Sequence, residues 1–363
     1  MSRILAGNLP QLPEACGAAL SYPVHDGIPM DGSDRKTKSL ADIRIDNYLN
    51  SHDFFSTMAE DVRQGLTANP KRLQPKYLYD ERGSELFEQI TELPEYYPMR
   101  EEGALLNRIS PGLIASMAPS EIVELGSGSS TKTRALLDAG RANGCLKRYV
   151  AFDVSESIVR LAMTELLQRY GGLQVYGIVG DFHRHLDKIP RHAGRRLILF
   201  LGGTLGNLYR DERIELLGQI AALLAPDDRL LVGFDLVKDI ALIEAAYNDS
   251  QGVTAEFNRN MLNVINNGLD GDFDPDAFEH FAYFNVAESR IEMHLRPRSK
   301  QVARLNKLGL TVEIESPETI WTESSHKFTP QSVREMLSAS GLALKEWYAA
   351  PGDMFALALA GPA

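Results

Sequence analysis

The sequence predicts an α/β fold: a doubly wound parallel sheet interrupted by a second, α+β domain. Three observations predict it. From about residue 101 to 238, short apolar runs alternate with helix-like runs of 10–16 residues, the pattern of parallel strands joined by crossover helices. A two-glycine turn, Gly126-Ser-Gly128, links the first of these apolar runs to a helix. The alternation stops near 238 and returns only at about 330, so a separate segment is inserted between.

Strands are expected at 121–125, 148–152, 174–179, 196–201 and 229–234, with helices at about 131–140, 155–170 and 211–224. A helix at 330–340 and strands at 342–348 and 354–359 restore the pattern at the end. Upstream, 53–67 reads as a helix, followed by an aromatic segment with Tyr77, Tyr79, Phe87, Tyr96 and Tyr97. The insertion opens with a helix and an Asn-rich stretch, then extended segments at about 281–295 and 311–316. The expected division is an arm at 1–44, a second domain from 45–100 and 238–327, and the sheet domain from 101–237 and 328–363. Scattered Pro and Gly without periodicity make disorder the expectation for the arm.

Composition narrows the class. Apolar content of 44% and charged content of 24% are those of a globular protein with a substantial core. A net charge of −11 argues against a nucleic-acid footprint, which is normally basic. The two cysteines, Cys16 and Cys145, lie far apart, which suits a reducing compartment rather than a disulfide scaffold. No apolar run approaches the roughly 20 residues that cross a bilayer, and the start lacks the features of a signal peptide. The expectation is a cytoplasmic monomer that takes a small molecule, not a nucleic acid or membrane.

The chemistry starts at Ile122-Val-Glu-Leu-Gly-Ser-Gly-Ser-Ser-Thr-Lys-Thr133. A glycine-lined turn between strand and helix lets a ligand approach the backbone. The third glycine of a dinucleotide fingerprint is missing, because Thr131 stands there, and no Gly-Lys-Ser/Thr of a P-loop follows. A ligand without pyrophosphate fits better, and S-adenosylmethionine is one. Further strand ends line up behind this loop: Asp153, where an acid accepts from ribose hydroxyls; Gly180-Asp181-Phe182, for an adenine; and Gly202-Gly-Thr-Leu-Gly-Asn207, where an acceptor would meet the donor. Each alone has a plainer reading. An aspartate after a strand commonly caps a helix, Lys132 is equally a solvated first-turn lysine, and the aromatic cluster is equally core packing. All four strand ends in order favour a class I (Rossmann-like) methyltransferase over a hydride-transfer enzyme. The eight histidines show no metal spacing, so no metal is expected, and no Gly-x-Ser-x-Gly elbow suggests a hydrolase.

Longer strings carry a specific resemblance. Lys76-Tyr-Leu-Tyr-Asp-Glu-Arg-Gly-Ser-Glu-Leu-Phe87, Leu93-Pro-Glu-Tyr-Tyr-Pro98, Phe234-Asp-Leu-Val-Lys-Asp239, Gly252-Val-Thr-Ala-Glu-Phe-Asn258 and Thr322-Glu-Ser-Ser-His-Lys-Phe328 resemble the histidine Nα-methyltransferases of ergothioneine biosynthesis. The resemblance runs from about 45 to the C-terminus. It implies an enzyme that trimethylates the α-amino group of L-histidine to hercynine. It also implies that Tyr96, Gly126, Lys132, Asp153, Asp181 and Phe182 hold S-adenosylmethionine. Asn207 and Tyr247 would bind the substrate carboxylate, while Tyr79 and Phe87 shape the space around the amino group. Glu323 and Ser325 would hydrogen-bond the imidazole, with Met293 packing beside it. Among these, Tyr79 and Asn207 are the candidate catalytic residues, Tyr79 with water or bulk solvent taking the amine proton.

Departures from the family pattern are modest: Gly203-Thr-Leu205, His326 and Asn267-Gly268 differ from what relatives often carry. The alternatives are an Nα-methyltransferase of another amino acid such as tryptophan, a non-catalytic donor-binding sensor, and an NAD-dependent oxidoreductase. Glu323 with Ser325 disfavours the first, the full set of acceptor residues the second, and the missing third glycine the last.

Overall fold

The apolar runs read from the sequence form the middle of one large sheet, and polar termini on them carry the site. The computed structural model describes residues 43–49, 51–191 and 193–363. The first elements are β1 (Arg44–Asn47), α1 (Ser51–Thr67), β2 (Lys71–Arg72), α2 (Glu81–Glu92) and α3 (Tyr97–Met117). The alternating section holds β3 (Glu121–Leu125), α4 (Arg134–Asn143), β4 (Arg148–Asp153), α5 (Glu156–Arg169), β5 (Gln174–Val179) and the one-turn α6 (Phe182–His185). It continues with β6 (Arg196–Phe200), α7 (Arg210–Leu223) and β7 (Arg229–Asp235). The next stretch comprises α8 (Ile240–Tyr247), α9 (Val253–Leu269), β8 (Phe278–Asn285), β9 (Arg290–Pro297), β10 (Gln301–Leu305), β11 (Leu310–Ile314) and β12 (Ile320–His326). The chain closes with α10 (Pro330–Ala339), β13 (Leu342–Ala349) and β14 (Phe355–Pro362).

The eight-stranded sheet has the order β1-β5-β4-β3-β6-β7-β14-β13. Its strands from β1 to β7 pair in parallel, while β14 runs antiparallel to both β7 and β13. The sheet is therefore mixed rather than wholly parallel. The physical reason is the short link between β13 and β14, which cannot hold the crossover that parallel strands need. Alternate residues feed two apolar layers. Ile122, Leu197 and Leu231 pack with α3, α4 and α5, while Val123, Ile198 and Val232 pack with α7 and α10. Strand β3 is buried along its whole length, as a strand covered on both faces must be. It lies where strand order reverses, the place at which such sheets open a crevice for ligands.

A separate apolar cluster joins the segments on either side of the alternating section. Met58, Val62, Leu86 and Ile90 from α1 and α2 pack against Phe257, Met261 and Ile265 of α9 and against Ile291, Met293 and Ile320. A four-stranded sheet of order β2-β12-β9-β8 backs this cluster, and β10 and β11 form a hairpin beside it. The Asn-rich stretch is the helix α9: Asn258, Asn260 and Asn266 are held there by side-chain hydrogen bonds to His294 O, Asp80 Oδ1 and Phe273 O. The expectation for an arm at 1–44 falls outside the described residues except at its end. There Arg44–Asn47 pair with β5, so the boundary drawn at 44/45 cuts a strand of the large sheet.

One buried ion pair anchors the base of the sheet. Glu121, fully buried, accepts from Arg196 Nε at 2.5 Å and lies 3.4 Å from Arg148 Nε. Removing the carboxylate leaves the buried Arg196 uncompensated. Glu121→Ala is expected to lower the unfolding free energy in urea titration by on the order of 3–5 kcal/mol; a loss under about 1 kcal/mol would contradict that pairing.

Candidate active site

The glycine loop owes its shape to backbone geometry. Gly126 and Gly128 have φ of +70° and +48°, a region that L side chains rarely adopt. A Cβ at either position would meet nothing within 4 Å, so the space above the loop is open to a ligand. The loop is pinned to β4: Gly126 N and Ser127 N donate to Phe152 O at 2.8 and 3.1 Å, and Gly128 N donates to Asp153 Oδ2 at 2.9 Å. Asp153 Oδ1 accepts from Ser155 N at 3.1 Å. Burial raises the Asp153 pKa against these amide bonds. Each carboxylate oxygen keeps one lone pair for a ribose hydroxyl.

Glu124 works below the loop rather than in it. It is buried, accepts from Thr133 Oγ1 at 2.5 Å and from the Tyr149 hydroxyl, and Tyr149 also bonds Ser130 Oγ at 2.8 Å. Burial pushes its carboxyl up to about 7. The acid before the glycines is thus a brace for the loop. Asp181 Oδ1 caps the short α6 through His183 N at 2.9 Å, and Phe182 packs edge-on against Phe200 with ring centroids 5.6 Å apart. Lys132 forms an ion pair with the buried Glu102 and lies 3.3 Å from Met99 Sδ. Glu102 in turn accepts from Gly202 N at 2.9 and 3.0 Å. Lys132 is therefore oriented by a carboxylate that nothing in the sequence marked, and it retains one proton for a ligand.

The turn after β6 carries Asn207 to the other sheet. Gly206 O accepts from the Nδ1 of His326 at 2.8 Å, and a Cβ on Gly206 would lie 3.0 Å from His326 O. A side chain there would be tighter than ordinary contact and would press the two backbones apart. Burial lowers the His326 pKa to about 4, so the ring is neutral and serves as a clasp. The Asn207 side chain makes no hydrogen bond with any described residue.

Strand β12 carries Glu323 and Ser325, the residues expected on the acceptor side. Its pairing with β9 shifts between Trp321 and Glu323, leaving Thr322 as an extra residue. Such a bulge re-aims side chains. Trp321 pairs with His294 on one face, and Glu323 and Ser325 pair with Met293 and Ile291 on the other, toward the apolar cluster. Without the bulge, period-two alternation would put Glu323 beside Trp321. Glu323 is 8% exposed, and its carboxylate has no hydrogen-bond partner among the described residues. Burial pushes it up to about 7, with the charge of Lys327 opposing.

An aromatic chain walls the space between. Tyr79 meets Phe87 and Phe257 edge-on at 5.5 and 5.4 Å, Phe87 meets Tyr96 at 6.2 Å, and Tyr96 meets Tyr247 at 6.3 Å. Tyr79 keeps 38% of its surface accessible, as a residue lining a hollow does. Burial, with the Glu323 carboxylate adding to it, raises its pKa well above the ordinary value. A standing phenolate is disfavoured at this hydroxyl, so Tyr79 as a base would have to act together with water or bulk solvent. Tyr247, expected at the substrate carboxylate, closes this aromatic chain beside Ser325. Its hydroxyl donates to Ser325 Oγ at 2.8 Å, so in this structure its one proton is directed to the Ser325 end of the site.

Glu102, Phe257, Asp235 and Lys327 are the site residues that sequence reading missed. Lys327 and Asp235 lay inside matched strings without an assigned role; Glu102, in a helix, had no local signal. Gly126→Ala is expected to lower stability by about 1–2 kcal/mol through its left-handed backbone and to weaken S-adenosylmethionine binding at least tenfold. Calorimetric titration with an unchanged affinity would refute that placement of the donor.

The comparisons with known proteins agree with this geometry. The profile of a family described as "Histidine-specific methyltransferase, SAM-dependent" matches residues 58–362. The histidine N-alpha-methyltransferase of Mycolicibacterium smegmatis is 47% identical over 318 residues, covering 88% of this chain and 99% of the relative. That of Mycobacterium tuberculosis is 46% identical over the same length and shares. The 4-dimethylallyltryptophan N-methyltransferase of Claviceps purpurea is more distant, 26% identical over 319 residues, with 81% and 92% covered. With a matching profile over most of its length and two relatives near half identity, the chain belongs to the SAM-dependent, histidine-specific methyltransferases.

Proposed function

We propose that this protein transfers three methyl groups, one per S-adenosylmethionine, to the α-amino nitrogen of L-histidine, giving hercynine for ergothioneine biosynthesis. The observation that carries the substrate is the pair on β12: a buried carboxylate without a hydrogen-bond partner among the described residues, Glu323, and a hydroxyl two residues on, Ser325, on the same face. A neutral imidazole offers one N–H and one lone pair, which a carboxylate and a hydroxyl satisfy together. An indole offers only the N–H, so a ring of the tryptophan class leaves one of the two groups unpaired, at a cost.

The donor supplies an electrophilic methyl on a sulfonium. Gly126, Asp153, Asp181, Phe182, Lys132 and Tyr96 are the residues proposed to hold it. The open space over the two glycines and the remaining acceptor capacity of Asp153 fit a ligand with ribose hydroxyls and no phosphate. Asn207, whose amide is unpaired among the described residues, is proposed to take the histidine carboxylate. The segments 45–100 and 238–327 are proposed to act together as the substrate-binding domain, which agrees with the apolar cluster they share.

Positioning is the main contribution to an in-line displacement. The amine reaches the site and loses its proton to solvent, since Tyr79 stays protonated. The product nitrogen is permanently cationic, and the ring faces of Tyr79 and Phe87 stabilise it by ~1–2 kcal/mol in a desolvated pocket. Every residue invoked lies on one chain, so the reading asks for no partner subunit. No helix among the described residues is long and apolar enough to cross a membrane; the reading places the enzyme in the cytoplasm. Among the described residues no group of His, Cys, Asp or Glu is arranged to hold a metal ion, and the proposed chemistry uses none.

Incubation with S-adenosylmethionine and single amino acids, followed by mass spectrometry, is expected to show trimethylated histidine and no trimethylated tryptophan. Glu323→Ala is expected to cut histidine turnover by at least a hundredfold while donor affinity stays within about twofold. Unchanged histidine affinity in that variant would sink the imidazole assignment. Asn207→Ala is expected to raise the Michaelis constant for histidine about tenfold, as loss of a hydrogen bond to a charged group should. A constant equal to wild type would place the carboxylate elsewhere.

A further inference from the structure

We propose that Lys327, held by Asp235, is a positioning residue that fixes the Ser325 hydroxyl as a hydrogen-bond donor to the substrate ring. The inference rests on the reading that Glu323 and Ser325 hold an imidazole, and goes beyond it by assigning what decides the direction of the Ser325 bond.

The hydrogen-bond inventory leaves one arrangement. The Lys327 side chain is wholly buried. Its ammonium reaches Asp235 Oδ2 at 3.0 Å, Ser325 Oγ at 2.8 Å and the Tyr247 hydroxyl at 3.1 Å. An ammonium has three protons and no lone pair, so all three are assigned, and Ser325 must accept from it. The Tyr247 hydroxyl, itself accepting from Lys327, gives its proton to Ser325 Oγ at 2.8 Å. A serine oxygen has two lone pairs, and both are now used. Its own proton has no acceptor among the described residues. Ser325 can therefore only donate toward a ligand, while the neighbouring Glu323, when ionised, can only accept.

The consequence is a site that reads polarity as well as shape. One ring nitrogen must present a lone pair and the other an N–H, which selects the neutral imidazole in a single tautomer. A ring with no lone pair leaves the Ser325 proton unpaired. Charge balance alone does not explain the lysine. Asp235 already has Lys238 beside its Oδ1 and the Tyr97 hydroxyl at 2.9 and 3.0 Å. A second buried cation on the same carboxylate carries a desolvation cost, and what it adds is the pair of bonds to Ser325 and Tyr247.

The test is a double-mutant cycle on the full chain, with histidine kinetics as readout and calorimetric binding of S-adenosylhomocysteine as the check on folding. Lys327→Met and Ser325→Ala are each expected to raise the Michaelis constant for histidine about tenfold. The double variant is expected to be no worse than the worse single one, because both changes remove the same oriented proton. A purely structural lysine predicts multiplied losses instead, and that outcome, or a wild-type constant in Lys327→Met, overturns the inference. Should Ser325→Ala leave the constant unchanged, the imidazole reading itself fails and takes the inference with it. Should Lys327→Met lose donor binding, the wild-type enzyme decides the matter through inhibitors. β-(4-Thiazolyl)alanine and β-(5-thiazolyl)alanine keep a ring-nitrogen lone pair, one at each imidazole position, and lack the N–H; β-thienylalanine has neither. At least one thiazole is expected to inhibit histidine turnover several-fold more strongly than the thiophene. Equal inhibition by all three would show that Ser325 is not a fixed donor.

Discussion

A single buried carboxylate, Asp235, ties the methyl-donor side of this protein to its acceptor side. It ends β7 of the large sheet, and it bonds Tyr97 at the start of α3, Lys238 just beyond, and Lys327 just after β12. The backbone follows the same path: Phe328 N donates to Asp235 O and Val237 N to Phe328 O, at 2.9 Å each. A charge taken out of water must be compensated where it sits. The four side chains are therefore obliged to meet, and the two sheets are obliged to meet with them. The clasp between His326 and Gly206 then sets the turn bearing Asn207 against Ser325.

The acceptor side departs from what a stable core would choose. Protein interiors satisfy nearly all their buried polar groups, yet among the described residues the Glu323 carboxylate has no bond partner and the Ser325 proton no acceptor. Burial raises the carboxyl of Glu323 to about 7, and Lys327 acts against that rise. Such incomplete networks cost stability, and in this family member they lie where a ring with a complementary N–H and lone pair would complete them. The donor side is the opposite case. Glu124 and Glu102 are held by Thr133, Tyr149, Lys132 and Gly202 N, and Asp153 holds the Gly128 amide with lone pairs to spare, which makes the glycine loop a rigid shelf.

Much of the fold was legible because strand and helix periodicities are local. The strands at 121–125 and 174–179 coincide with β3 and β5, and α7 and α10 fall within a residue of expectation. The helix after the glycines begins at Arg134 rather than 131, because Ser129 to Thr133 are spent on the turn. The strand β12 escaped notice as a strand since Thr322 to Ser325 are polar and buried on both faces. It has no alternation to read. Site residues were legible as types at strand ends but not as roles. Tyr247 and Lys132 are where expected in sequence, yet the Tyr247 proton goes to Ser325 and Lys132 is oriented by Glu102.

The sequence by itself determined the alternating sheet, the two-glycine loop, the ordered acids behind it and the family. These follow from residue type and short spacing, which neighbours along the chain decide. Only the tertiary structure decided that Glu323 and Ser325 lie on the face of β12 turned toward the apolar cluster. By simple alternation Trp321, Glu323 and Ser325 share one face of β12. The extra residue Thr322, whose Oγ1 donates to Met293 O at 3.0 Å, turns the last two to the face opposite Trp321. A bulge is set by the register with a partner strand, and that partner, β9, lies some 30 residues upstream. No local pattern in 320–326 records it.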